Sequence, residues 1–194
     1  MKTAMILAAS ALASALALAG CGGSMQSTAM QTAMQIPMVG GAAMYPTENI
    51  IENAVKSKDH TTSVAAVKAA GLVDVLSSDG PFTVFAPTDA AFAALPEGAV
   101  ANLLKPENKA ALTKVLTCHV VAGDVMALAI GKMIADDGGA HMVPTLGGCM
   151  LTATRAGGAI VLTDETGRSA RVTIADVKQS NGVIHVIDAV MLPG

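Results

Sequence analysis

Residues 80–95 read GPFTVFAPTDAAFAAL, and the way this stretch is read decides the fold. In an extended backbone Phe82 and Val84 face one way, and Thr83 and Phe85 face the other. Both sets are mostly apolar, which predicts a strand covered on both faces rather than one with a wet side. Pro87 has no N–H to give to a ladder. Thr88 has the hydroxyl of an N-cap, and Asp89 places negative charge in a first helical turn, where the helix dipole favours it. Phe92 then turns back towards the core. The reading is a buried strand over Phe82–Ala86 that switches abruptly into a short helix over Asp89–Ala94. The chain has three phenylalanines, one tyrosine and no tryptophan, and all three phenylalanines lie in this stretch.

Upstream, Ile50, Ile51, Ala54 and Val55 recur at helical spacing, with Thr47 as candidate N-cap. A second helix is expected from about Ser63 to Ala70, stopped by Gly71, and a short helix or turn through Leu76. Downstream, KPENKAALTKVLTCHVVAG (residues 105–123) predicts a helix from Pro106 to about Leu116 and a short strand to Val121. Another helix is expected around Val125–Ala135. After Asp136-Asp137-Gly138-Gly139 the pattern changes. HMVPTL, CMLTATRA, AIVLTDET, ARVTIADV and GVIHVIDAVML are short β-prone runs separated by turn residues. Helices come first and strands later, which argues an α+β domain over residues 46–193 rather than alternating α/β.

The N-terminus reads differently. Lys2 precedes an apolar run, Ala4–Ala17, that is too short to span a bilayer comfortably and fits the core of a secretory signal over residues 1–20. Leu18-Ala19-Gly20-Cys21 looks like a bacterial lipobox, whose cysteine is lipidated before cleavage. Acyl chains on Cys21 would hold the protein to a lipid bilayer. Gly22, rather than an aspartate, follows it, which leans towards the outer membrane of a two-membrane envelope. Cleavage removes Lys2 and no acid, so the formal charge moves from −3 to −4. With no basic run, nucleic acid is not an expected partner. Residues 21–45 read as an uncharged tether whose flexible part spans ~25–30 Å. Met25, Met30, Met34 and Met38 recur along it, a spacing that allows either a thioether copper site or one face of a short helix.

Three segments together resemble the fasciclin domain family. FTVFAPTDAAFAAL (residues 82–95) resembles its first signature, LTCHVVAG (116–123) its Tyr-His segment, and NGVIHVIDAVMLP (181–193) its second signature. They stand in the family's order and at about its spacing, and the resemblance covers about three quarters of the chain. The resemblance implies a single wedge of sheet and helices, with the two signatures as neighbouring central strands. It also implies that Asp89 and His119 hydrogen-bond internally and tie the first signature to the Tyr-His segment. Asp176 and Val177 match an adhesion segment of animal members and are carried as contact candidates. The chain departs from the family where Cys118 replaces the tyrosine and Ala122 the following proline.

With Cys21 lipidated, Cys118 and Cys149 remain. An exported chain with two cysteines is expected to pair them, two free buried thiols being the alternative. His60 and His141 read as surface or loop residues, and His185 as a structural histidine within an apolar strand. No catalytic motif, metal site or cofactor site is evident: there is no G-x-S-x-G, H-E-x-x-H or phosphate loop. The expected function is a non-enzymatic surface adhesion or interaction module that meets a protein or polysaccharide. An envelope lipoprotein binding copper or a small ligand is the alternative.

Overall fold

The computed structural model of the protein describes residues 36–194. Cys21, Met25, Met30 and Met34 lie outside the described residues. Two two-residue strands come first, β1 (Met38–Val39) and β2 (Ala42–Ala43), followed by three short helices, α1 (Ile50–Ala54), α2 (Thr61–Ala70) and α3 (Val73–Ser77). Next come β3 (Phe82–Pro87), α4 (Asp89–Ala93), α5 (Ala99–Leu103), a 3-10 turn at Pro106–Asn108, α6 (Lys109–Thr117), β4 (Val120–Ala122) and α7 (Ala127–Asp136). The chain finishes with β5 (Ala140–Pro144), β6 (Met150–Ala156), β7 (Ala159–Thr163), β8 (Ser169–Gln179) and β9 (Gly182–Ile187). It is an α+β fold, as expected.

Seven strands form one sheet in the order β4-β3-β9-β8-β7-β6-β5. The two signature strands are central neighbours and run parallel, Phe82 beside Gly182 through to Pro87 beside Ile187. Every residue of β9 is buried. On one face, Phe85 and Ile187 pack with Ile130, Leu151 and Leu162. On the other, Phe82, Val84, Ile184 and Val186 pack with Val39, Met44 and Ile50. The apolar residues on both sides of FTVF are therefore explained by burial on both sides. Pro87 takes the last ladder position, and Thr88 N–H donates to the Ile187 carbonyl (3.2 Å). Gly182 is required at the start of β9, because a Cβ there would strike the Phe82 carbonyl. The long strand β8 pairs with β7 at one end and β9 at the other, with register shifts around Ile174 and a positive φ of 60° at Asp176.

Several boundaries differ from the sequence reading. The folded body begins before residue 46: β1 and β2 pair, Val39 and Met44 are buried, and Lys58 N–H donates to the Gly40 carbonyl (3.1 Å). Asn49, not Thr47, caps α1. Its side chain accepts from the Ile51 and Glu52 N–H groups while Glu52 reaches back to Asn49 N–H, a reciprocal arrangement that satisfies donors on both sides of the cap. Helix α5 was not expected, since Gly98 and its short apolar run give little periodicity to read.

The sheet curls until its edge strands β4 and β5 come close. Leu146 N–H donates to the Val120 carbonyl (2.8 Å), and Gly147 N–H to the Thr117 carbonyl (3.0 Å). Between these contacts Cys118 and Cys149 form a disulfide, with Cα atoms 5.4 Å apart. Cys118 closes α6 and Cys149 precedes β6, so the covalent bond fastens the two ends of a barrel-like sheet. A Cβ on Gly147 would collide with the Cys118 backbone and sulfur, so the turn can approach only because glycine is there.

The closed loop of 31 residues of separation corresponds to about 3–4 kcal/mol of loop entropy. A Cys118→Ser, Cys149→Ser protein is expected to unfold in denaturant with a stability lower by roughly that amount. Unreduced protein from which Cys21 has been removed should yield no alkylatable thiol by mass. Two modified thiols would sink the assignment.

Candidate functional site

The family-like pair, Asp89 and His119, was the strongest candidate for a polar site, and the structure separates it. The segments do meet, but through the backbone: Phe85 N–H donates to the His119 carbonyl (2.8 Å). The imidazole points elsewhere. Its Nδ1 lies 2.8 Å from the Val115 carbonyl and its Nε2 accepts from Met191 N–H (3.0 Å). A carbonyl only accepts and an amide only donates, so the ring is neutral with its proton on Nδ1. Burial holds its pKa down at about 4, against the pull of the Val115 carbonyl and the Asp164 carboxylate.

Asp89 serves a different donor set. It accepts from Thr61 N–H (3.2 Å), Thr61 Oγ1 (2.6 Å) and Thr62 N–H (2.8 Å), the open N-terminus of α2. The residue that precedes α2, His60, provides no side-chain cap. Helix N-termini leave backbone donors without partners, and a carboxylate from α4 fills that need here. Burial pushes the Asp89 carboxyl up, but the hydrogen bonds from Thr61 and Thr62 outweigh it and leave the group below its ordinary value. Asp89 and His119 are thus both structural, each with a different partner, and the expected bond between them is absent.

Asp164 is the acid that sequence reasoning missed. One oxygen accepts from Thr166 N–H, Thr166 Oγ1 and Arg168 N–H, and the other from Leu192 N–H (2.7 Å). His119 and Asp164 therefore clip adjacent residues, Met191 and Leu192, of the segment that follows β9. An aspartate at the head of TDETGR (residues 163–168) is a turn signal, since such side chains bond the backbone two residues on. Nothing in that signal announces the contact with Leu192.

His185 behaves as expected of a satisfied structural histidine. It stacks on Phe85 with ring centroids 5.5 Å apart, lies 2.9 Å from the Val125 carbonyl through Nε2, and accepts from Asp176 N–H through Nδ1 (3.2 Å). Burial is the main cause of its lowered pKa. The contact candidates Asp176 and Val177 are turned inward. Asp176 Oδ1 accepts from Ala127 N–H (2.7 Å), capping α7, whose own N-cap Met126 has no side-chain acceptor, and Val177 is fully buried. A buried valine has no surface to offer a partner. His60 was read as a surface residue and is instead buried, its Nδ1 bonded to Ser57 Oγ (2.9 Å) and its pKa lowered first by burial. His141 is half-buried, with Nδ1 2.6 Å from Asp137 Oδ2. Among the described residues no three His, Cys, Asp or Glu side chains converge as metal ligands. The buried imidazoles of His119 and His185 have both nitrogens engaged by backbone groups, which leaves neither free to move a proton.

His60, His119 and His185 are held neutral in the fold and gain protons more readily once unfolded. Stability that is complete above pH ~6.5 should therefore fall as the pH drops through that value. For His119 the loss continues to about pH 4, its folded value, and should amount to ~3 kcal/mol. Denaturant unfolding at pH 7 and pH 4.5 checks this, and His119→Gln should flatten the slope. A curve flat across that range in the parent protein would contradict it. Separately, Asp89→Ala should cost roughly 1 kcal/mol through the lost cap while leaving the His119 titration, followed by NMR, in place. A midpoint moved by more than roughly half a pH unit would mean that the two groups are coupled after all.

The model of the family described as "Fasciclin domain" matches residues 58–193. Protein sll1483 of Synechocystis is 46% identical over 164 residues, which cover 84% of each chain. The cell surface glycolipoprotein MPB83 of Mycobacterium bovis is 34% identical over 122 residues, 63% of this chain and 48% of that protein. Among solved structures, a fasciclin domain pair from the insect cell adhesion molecule Fasciclin I superposes with a TM-score of 0.67 at 19% identity, covering 75% of this chain and 51% of the other. The matched region runs from α2 through both signature strands to the segment clipped by His119 and Asp164, and the chain belongs to the fasciclin domain family.

Proposed function

We propose that this protein is a non-enzymatic adhesion or interaction module, held in the bacterial cell envelope by lipid on Cys21 and carried clear of the bilayer by the segment that follows. The observation that carries the reading is the use of its polar side chains within the fold. Half-buried Asp89 and buried His119, Asp164 and His185 are all engaged by backbone or hydroxyl groups of the same fold, and among the described residues only His60 keeps a buried side-chain polar atom, Nε2, without a partner. Such a molecule works through what its surface touches. The reading draws support from relatives, one described as a cell surface glycolipoprotein and another as a cell adhesion molecule. The lipobox-like Leu18-Ala19-Gly20-Cys21 supports anchoring, and no helix among the described residues is long and apolar enough to cross a membrane. Gly22 favours the outer membrane, with the domain on its periplasmic or outer face. The partner class is a protein or polysaccharide of the surface or matrix.

Two measurements test this. Cells fed an alkyne-bearing palmitate should label the parent protein and not Cys21→Ala, and the variant should leave the membrane fraction. Cross-linking on intact cells should capture a surface protein or polysaccharide, and deletion of the gene should weaken attachment. Unchanged attachment together with an empty cross-linking experiment would defeat the adhesion reading, whatever the fate of the lipid label.

A further inference from the structure

The disulfide and its flanking hydrogen bonds hold β4 and β5 together at one end, but the two strands part further along. Between β4, β5 and α7 lies a pocket of about 400 Å³, within the size range of small-molecule sites. Phe85, Val121, Ile130, Met133, Val143 and Leu146 form an apolar wall. Leu146, at the rim, is 47% exposed, so part of that wall is wet.

Three polar side chains with hydrogen-bonding capacity reach the pocket: Thr83, Thr145 and His141. Thr83 Oγ1 donates to the Gly123 carbonyl (2.6 Å) and accepts from Val125 N–H (2.8 Å). Thr145 Oγ1 donates to the Cys149 carbonyl (2.9 Å) and accepts from Cys149 N–H (3.0 Å). Their protons are engaged by the fold. His141 is different. Its Nδ1 faces the Asp137 carboxylate at 2.6 Å, and a carboxylate accepts, so in the neutral ring the proton sits on Nδ1 and Nε2 presents a lone pair. That nitrogen has no partner among the described residues. Asp137 puts negative charge beside His141, which disfavours a carboxylate or phosphate head group there, while the neighbouring Asp136 is paired with Lys132.

We propose that this pocket binds a small, largely apolar molecule carrying a hydroxyl group, the body against the apolar wall and the hydroxyl donating to His141 Nε2. The ligand class follows from the combination of an apolar wall with a single available acceptor.

Calorimetric titration with 4-hexylphenol and with its methyl ether, 4-hexylanisole, separates the two components. The parent protein should bind both, the phenol roughly tenfold more tightly, the difference being one buried hydrogen bond. His141→Ala should remove that preference and leave the ether unaffected. Ala122→Trp adds bulk from an exposed position on the pocket's lining and should abolish binding of both while leaving the unfolding midpoint near that of the parent. Equal affinity for phenol and ether, no binding of either by the parent protein, or undiminished binding by a folded Ala122→Trp protein would each overturn the proposal.

Discussion

The parallel pairing of β3 with β9 is the constraint from which the rest of this structure follows. Its partners, Phe82 and Gly182, are a hundred residues apart. A parallel pair cannot be closed by a hairpin, so the intervening chain is a long crossover that carries most of the domain, and closing it costs the entropy of a long loop. Both ends of the pairing are fastened by side chains. At its start, Asn181 presents its carbonyl to Phe82 N–H (3.0 Å), its side-chain oxygen to Ile50 N–H (3.0 Å) and its amide to the Leu76 and Ser78 carbonyls (both 2.8 Å). One turn residue thus joins α1, α3, β3 and β9. Past the other end, His119 and Asp164 hold Met191 and Leu192.

A second regularity concerns the helices. Several are too short to be stable alone, and their exposed N-terminal donors are met by side chains from elsewhere in the chain. Asp89 caps α2, and Asp176 caps α7. A carboxylate at a helix N-terminus satisfies two needs at once, an unpaired N–H and the positive end of the dipole. This is why aspartates and histidines that look like reactive pairs in the sequence prove to be fasteners. Each replaces a hydrogen bond to water with one to backbone, and removing one partner strands the other in a buried site.

Closure of the sheet has a consequence for recognition. Strand edges are the usual template on which another chain adds itself. Here β4 and β5 are short, and they are drawn together by the disulfide and by the contacts at Thr117 and Val120. The edges are fastened at that end only, since β4 pairs in the ladder with β3 alone and β5 with β6 alone. The apolar pocket beside His141 lies next to this closure, lined by residues of β3, β4, β5 and α7.

The sequence by itself determined the α+β class, the buried strand and its switch at Pro87-Thr88-Asp89 and the succession of late strands, and with Cys21 set aside it pointed to the pairing of Cys118 with Cys149 that the structure contains. All of these rest on local periodicity, capping chemistry or the count of two remaining thiols. It also made plain that Asp89 and His119 needed partners. Only the tertiary structure decided which partners: Thr61 and Thr62 for one, Val115 and Met191 for the other. The burial of His60, the inward turn of Asp176 and Val177, the early start of the folded body at β1, and the pocket between β4 and β5 were likewise decided there. The reason is physical. A residue's type fixes what bonds it can make, but which donor comes within 3 Å depends on packing between segments far apart in the chain, and no local pattern encodes that distance.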